Sequence, residues 1–379
     1  MADDYKVPVT KILEILPHTN SDHLEFCRVF DFKVVVRKNE YKVGQEILYV
    51  PIDSVLPKNI EEKLFPADSK IKLHNSRVKQ IKIRGFYSQG MLIDLEDIYE
   101  FLGKDRIRRL GTYEENEDLS SDLGITKYEP PAPNFAGQAQ KRDKPRENPL
   151  FHKYNGVENI KWYPDLFTPD EDVVVQEKLH GSNCRAAILP WKANTLWKKI
   201  VKFFGLAPEF EYCYGSNNVQ LQERKDYKGF YGSDVYGAVL NKIDAFKKMK
   251  PNEIIYGELI GEGIQKNYHY GHKDHHFVLF NVKLQTPEGA KWLNPKEAQN
   301  YAKERGFDFV PVLYEGKFNK EHFNSLVKTP SSYYPAHKIM EGLVIKSLND
   351  YNNEVLSSAK KELKLINEEY LNKDQSDYH

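Results

Sequence analysis

The sequence is poor in cysteine, in net charge and in long apolar runs, and each shortage removes a class of protein. Cysteine occurs three times in 379 residues, at Cys27, Cys184 and Cys213. An odd count without metal-ligand spacing gives no disulfide framework and points to a reducing compartment. The 55 basic residues cancel the 55 acidic ones, so overall charge attracts no nucleic acid. A nucleic-acid partner must be held by a local basic surface. No apolar run approaches the ~20 residues that cross a bilayer. The start, Met1-Ala2-Asp3-Asp4, is acidic and lacks the apolar stretch of a signal peptide. By elimination, the expectation is a soluble cytoplasmic protein with no membrane partner.

What is present bounds the fold. Apolar residues at 40% and aromatics at 13% exclude disorder, and the length suits two domains. Residues 7 to about 100 read as short strands: Val9–Ile15, Leu24–Val29, Lys33–Val36, Glu46–Val50, Ile81–Gly85 and Gly90–Ile93. Such spacing predicts a small barrel or sandwich. Arg77, Lys79, Lys82 and Arg84 alternate with Val78, Ile81 and Ile83 and predict one basic strand face, with an ordinary solvated face as the plain alternative. From about 104 to 150 the pattern dissolves into acidic, proline-rich and polar tracts, which read as a linker. Strands and helices then alternate to the end, with no internal repeat. An insert, Leu196–Phe204, sets apolar residues at helical spacing beside three lysines. It could meet a membrane or a phosphate backbone, but packing of the stripe on its own domain is the preferred reading.

The most informative stretch is Glu177-Lys178-Leu179-His180-Gly181-Ser182-Asn183. Val173-Val174-Val175 leads in and Ala186-Ala187-Ile188 leads out, a strand, polar turn and strand. An ordinary lysine, pKa about 10.4, is a free amine only about once in a thousand at neutral pH. A nucleophilic Lys178 must lose roughly 3 units, about 4 kcal/mol, through desolvation, a nearby cation or a metal. A surface lysine in a Gly-Ser-Asn turn is the plain alternative.

Three further blocks shift the balance: Ile254–Gly261 around Glu258, Met340–Lys346 around Glu341, and Lys360–Ile366. Each joins an acid or lysine to an apolar strand. A carboxylate beside glycine at a strand end suits a hard divalent cation. Lysines converging with acids and a metal suit phosphate chemistry, where catalysis is positioning and charge neutralisation.

With these blocks in order, residues 155 to 371 resemble the covalent nucleotidyltransferase superfamily of ATP-dependent ligases and capping enzymes. Lys178 falls on the nucleotide-accepting lysine, Glu258 on the third motif, Glu341 on the fourth and Lys364 on the fifth. Where DNA ligases and capping enzymes carry Lys-x-Asp-Gly-x-Arg, this chain has His180 for Asp and Asn183 for Arg. That replacement resembles nick-sealing RNA ligases of the RNA ligase 2 kind, as do Gly261–Asn267 and Tyr270-Gly271. Phe280, in Phe277–Val282, matches the adenine-stacking phenylalanine. Gly44–Pro57 and Ile83–Gly90 resemble the N-terminal OB domain of the RNA ligase 5 branch. One departure is Glu362, where relatives carry the first lysine of a Lys-x-Lys pair; either Lys364 works alone or Lys361 substitutes. The insert also leaves the next nick-contacting residue unplaced, with Tyr214–Asn218 a candidate.

The resemblance implies an α+β chain: an OB-type β-barrel over 1–130, a linker about 131–150, and a nucleotidyltransferase domain of antiparallel sheets with flanking helices over 151–379. It implies ATP with Mg²⁺ or Mn²⁺ as cofactors and RNA, or an RNA-containing nicked duplex, as partner of a monomer. Lys178 attacks ATP to form lysyl-AMP, and AMP then passes to a 5′-phosphate that a 3′-hydroxyl seals. The implied metal-holding residues are Glu341 and Glu258. Lys346 and Lys364 grip the α-phosphate, His180 acts in a later step, and Arg84 with its neighbours assists from the OB domain. Glu177, Asn183 and Phe280 join Glu258, Lys346 and Lys364 in the implied nucleotide-binding set. A DNA or mixed-substrate ligase and a non-catalytic OB-type nucleic-acid-binding protein stay open as alternatives. A zinc reading of His269, His272, His275 and His276 lacks the acid or cysteine partners of usual sites.

Overall fold

The computed structural model describes residues 5–69, 72–102, 114–128, 147–193, 196–221 and 233–372. Two compact units emerge. One takes the described residues of 2–131, the segment 159–166 and the end from Leu371; the other takes those of 132–158 and 167–370. Most of the expected linker, residues 129–146, lies outside the described residues.

The first unit is built on two three-stranded antiparallel sheets. One orders Val9–Lys11, Glu46–Val50 and Met91–Asp94; the other orders Glu14–Pro17, Leu24–Val29 and Phe32–Arg37. The single strand expected from Val9 to Ile15 is broken. At Ile12–Leu13 the chain changes sheets, the Ile12 amide donating to Gln45 and the Leu13 amide to Arg28. Glu46–Val50 serves two cores: Ile47 and Tyr49 join Cys27, Phe32 and Val34, while Leu48 and Val50 join Val9, Leu56 and Ile60. Burial on both faces explains why Ile-Leu-Tyr-Val runs without alternation.

Two expectations for this unit fail. The tract after Glu114 is not irregular: Leu119, Leu123 and Ile125 are core residues, and Thr126–Lys127 pairs with Ser54–Val55. The basic strand shrinks to Ile81–Ile83, hairpinned to Phe86–Ser88 through Arg84 and Gly85, whose φ values are 45° and 98°. Two positive φ angles suit the twist of a two-residue hairpin. Arg77 turns to Asp53, 2.6 Å away, and lies over the Tyr128 ring at 3.7 Å. Lys79, Lys82 and Arg84 stay exposed, but so does Ile81, so no clean basic face forms.

The second unit carries two antiparallel sheets. In the first, Glu362–Ile366, Gly342–Ser347, Asp172–Lys178 and Val312–Lys317 are neighbours in that order. The second has six strands, ordered Gln220–Leu221, Phe210–Ser216, Ser182–Pro190, Glu253–Ile260, His276–Thr286 and Gly289–Trp292. Cys184, Ala186, Ile255 and Leu279 pack with the helices Val235–Lys242 and Pro295–Arg305 on one face of it. The second helix opens with a capping box, Asn294 with Glu297, and closes at Gly306 in the left-handed region. The other face of the six-stranded sheet meets Phe151, Tyr154, Trp292 and Tyr351. Among the described residues no helix is long and apolar enough to cross a membrane.

Segment 159–166 sits in the first unit through Trp162, whose ring lies 4.9 Å from Phe30 and from Phe32 and 5.5 Å from Tyr49. Lys161 supports it, its Nζ donating to Gln89 at 2.6 Å. Trp162→Ala removes this plug and should cost the first unit about 3 kcal/mol. Chemical denaturation followed by circular dichroism and tyrosine fluorescence checks this, and an unchanged midpoint for the first unit contradicts it.

Candidate active site

Strand register assembles the site. Asp172–Lys178 is an interior strand of one sheet and Ser182–Pro190 an interior strand of the other, so Leu179-His180-Gly181 is the bridge between two sheets rather than a hairpin turn. A Cβ on Gly181 would lie 2.3 Å from the Leu259 carbonyl oxygen, so only glycine lets the bridge pass. Gln265 fastens it, its Nε2 donating to the Gly181 carbonyl at 2.9 Å.

Lys178 is paired in register with Gly342, which brings the preceding Glu341 alongside. The Lys178 Nζ donates to Glu341 Oε1 in an ion pair. Glu341 is only 3% exposed on its side chain. Its Oε2 is buried without a hydrogen-bond partner among the described residues. A Cβ on Gly342 would meet the Leu365 carbonyl oxygen at 2.4 Å, so the glycine is what lets the third strand close in.

Cross-strand partners in an antiparallel sheet share a face. The pairs Lys178–Gly342, Gln176–Val344–Lys364 and Val174–Lys346–Glu362 therefore put Lys178, Gln176, Lys346, Glu362 and Lys364 on one face. Glu177 falls on the other. Its carboxylate is buried and accepts from the Ser331 hydroxyl and from the Ser332 and Tyr333 amides, at 2.8 and 2.9 Å for the amides. Burial pushes its pKa up and those donors pull it back. The expected nucleotide-binding Glu177 is thus spent on anchoring the 331–333 turn.

From the second sheet come Glu258 and Asn183, paired with each other in register. Burial pushes Glu258 up to about 8; the charge of Glu341 adds to the rise, and Lys178 and the Gly181 amide oppose it. The Asn183 Oδ1 is buried with no hydrogen-bond partner among the described residues. Two carboxylates thus face one amine. The raised Glu258 and the unsatisfied Glu341 oxygen are what a divalent cation would relieve, so the donor set fits one. Among the described residues no group of three metal-type ligands occurs, so such an ion would keep several waters, as Mg²⁺ commonly does.

Phe280 is a bulge residue. Register shifts between Tyr256 and Gly257, which pair with Asn281 and Leu279 and leave Phe280 as the extra residue. Its carbonyl accepts from Lys346 Nζ at 2.9 Å, which ties the two sheets together. The ring is partly buried, edge-on to Tyr154 at 4.9 Å.

Behind Lys346 lies a buried polar knot. Glu362, fully buried, meets Lys360 at 2.6 Å and Lys346 at 3.9 Å and accepts from Tyr154 and Tyr351 at 2.6 and 2.7 Å. Asn281 donates to both tyrosine hydroxyls. Lys360 also lies over the Tyr154 ring, 3.4 Å from its centroid. Burial pushes Lys346 down to about 8 against the pull of Glu362. Glu362 is therefore the buried counter-charge for two lysines. Lys361, weighed as a substitute phosphate ligand, pairs with Glu171 at 2.8 Å.

His180 is buried against Tyr268 and Tyr370, with ring centroids 5.1 and 5.6 Å apart, and its amide donates to the Tyr270 hydroxyl. The His272 and His276 rings are tilted by 32° with centroids 3.7 Å apart, and among the described residues they belong to no group of three metal-type ligands. Residues not foreseen at the site are Gln176, 1% exposed and with no partner for its Nε2 among the described residues, and the pair Tyr154 and Lys360. Lys360 heads a run of like residues, and only strand register shows which of Lys360 and Lys361 turns inward.

With the geometry in place, comparison with known proteins decides the family. The model for RNA ligase matches residues 171–362, which is 192 of 379 and so just over half the chain. The chain belongs to the RNA ligase family. The matched span holds Lys178, Glu258, Phe280, Glu341, Lys346 and Glu362, and stops short of Lys364. An OB-fold domain model matches residues 6–95, the strands of the first unit from Val9 to Asp94. No curated protein matches the sequence. Among solved structures, a Naegleria gruberi RNA ligase variant with ATP and Mn shares the fold: TM-score 0.71, 23% identity, 97% of this chain and 98% of that one. The same ligase with PPi gives 0.70 at 23%, covering 96% and 97%, and a variant with AMP and Mn gives 0.70 at 22%, covering 96% and 97%. The architecture is thus an OB-fold unit and a ligase unit of mostly antiparallel sheets, an α+β chain.

Two outcomes test this RNA ligase site. A carboxyl with a raised pKa keeps a proton in the folded state that the unfolded chain has released, so it drains stability as pH climbs from 4.5 to about 8. Glu258→Gln should flatten that decline in thermal melts taken between pH 5 and 8; a parallel decline in both proteins contradicts the assignment. Glu362→Gln leaves two buried lysines without their counter-charge and should cost about 3–5 kcal/mol in denaturant unfolding. A loss under about 1 kcal/mol would mean that water reaches the knot.

Proposed function

We propose that this RNA ligase uses ATP and a divalent cation to join 3′-hydroxyl and 5′-phosphate ends, acting on nicks in duplex RNA or RNA-containing duplex through a lysyl-AMP intermediate. The supporting observation is the Lys178–Glu341 ion pair, with Glu258 beside it and Lys346 on the same sheet face. The Naegleria gruberi ligase of the same fold has been solved with ATP, with AMP, with PPi and with Mn.

Paired with a carboxylate, Lys178 is held in its charged, unreactive form. Glu341 and Glu258 would hold Mg²⁺ or Mn²⁺, which supplies a positive field that favours the neutral amine and offsets phosphate charge. Lys178 Nζ, its proton lost, attacks the α-phosphorus of ATP. A P–N bond forms, the bond from the α-phosphorus to the bridging oxygen breaks, and pyrophosphate leaves. Lys346 and Lys364 steady the α-phosphate, Phe280 stacks on the adenine, and Asn183 offers its unsatisfied oxygen to the ribose or the sealed ends. An oxygen of the 5′-phosphate end then attacks the adenylyl phosphorus, breaking P–N and restoring the amine. His180 acts in this or the last step, in which the 3′-hydroxyl attacks the activated 5′-phosphorus and AMP departs. Arg84 with Lys79 and Lys82 binds nucleic-acid phosphate from the OB unit. The protein works as a monomer in the cytoplasm, where Cys27, Cys184 and Cys213 remain thiols.

Incubation with α-labelled ATP and Mg²⁺ or Mn²⁺ should leave label covalently on the protein. Lys178→Ala should abolish the label, a fall of at least about 10³-fold. A wild-type chain that stays unlabelled with either metal overturns the proposal. Nicked duplexes carrying RNA or DNA on each side of the break then define the strand preference.

A further inference from the structure

The insert Leu196–Phe203 is a helix that leaves its apolar stripe exposed. A surface helix ordinarily buries its apolar stripe and exposes its charges. Here Leu196, Ile200 and Phe203 share a stripe at i, i+4 and i+7. Leu196 is 77% exposed and Phe203 85%, with Phe204 at 67% and Leu206 at 75% just beyond the helix. The expectation that this stripe packs on its own domain is therefore wrong. The helix is fastened from its polar side instead: Lys198 pairs with Glu211 at 2.9 Å and lies 5.3 Å from the centre of the Trp191 ring. Phe203 and Phe204 lie against each other, with ring centroids 5.5 Å apart.

Charge says what covers this face. From Trp191 to Pro208 the sequence holds four lysines, Lys192, Lys198, Lys199 and Lys202, and no acid, in a chain that is otherwise balanced. Lys199 and Lys202 are exposed. Phe and Leu on one side of a helix and only lysine on the other is the pattern of a helix that lies in a membrane interface. The aromatic and leucine side chains enter the headgroup–acyl boundary, and flanking lysines reach the phosphates. RNA offers phosphates, and base faces for Phe203, but no apolar phase for Leu196, Ile200 and Leu206. Eight residues are too short to span a bilayer, so the expected lack of a spanning segment leaves this mode open.

We propose that the Leu196–Leu206 insert docks this ligase reversibly on an anionic phospholipid surface, with Leu196, Ile200, Phe203, Phe204 and Leu206 inserted and Lys199 and Lys202 at the headgroups. The test is co-sedimentation of the full chain with vesicles of phosphatidylcholine alone or mixed with phosphatidylglycerol. The wild type should pellet with the mixed vesicles, and raised salt should weaken this. Phe203→Ser/Phe204→Ser/Leu206→Ser should cut it at least about tenfold while leaving protein–AMP formation unchanged. Lys199→Glu/Lys202→Glu, which leaves the apolar face intact, provides a second reading should the triple variant fail to fold. The proposal is overturned if the wild type stays in the supernatant with both vesicle types. It is also overturned if light scattering shows a dimer that the triple variant abolishes, or if that variant loses RNA affinity with no change in vesicle binding.

Discussion

One buried carboxylate holds the catalytic unit in shape. Glu362 lies where two sheets face each other and neutralises Lys346 and Lys360 out of water. A charge pair in that setting is strongly destabilising if broken and contributes little if simply replaced by apolar groups. Its value here is therefore geometric. The carboxylate fixes Lys346, Lys346 reaches the Phe280 carbonyl, and Asn281 gathers the tyrosine hydroxyls from the opposite sheet. The residue that departs from the family's Lys-x-Lys pattern is the one the surrounding lysines need.

The second ordering principle is register. Lys178 meets Glu341 because it pairs with the next residue, Gly342; Glu258 meets Asn183 by the same device in the other sheet. The glycines at 181 and 342 permit these approaches because carbonyl oxygens stand where their Cβ atoms would be. Electrostatics follow from placement. Glu258 and Lys346, opposite in charge, are both driven toward neutrality by burial.

Much of this was legible in the sequence. Glu258 and Glu341 adjoin glycine at apolar strands, and Lys178, Phe280 and Lys346 lie on apolar strands; that grammar survives without coordinates. The strands Leu24–Val29 and Glu46–Val50 read correctly because apolar runs bounded by polar turns are local signals. What was lost depends on partners distant in the chain. Glu177 looks like a site residue until its alternation puts it on the far face. Leu119–Ile125 looks like linker, and Trp162 like part of the second domain, because their cores are supplied by residues far away in sequence. The insert's amphipathic pattern was plain, but periodicity does not tell which side of a helix the protein takes.

The path of the chain has an evolutionary consequence. Residues 159–166 leave the ligase unit to plug the OB unit with Trp162, and the chain then returns. The two units are therefore interleaved rather than strung in series. A single crossover between genes, which can swap modules joined end to end, would here deliver an OB unit without its plug.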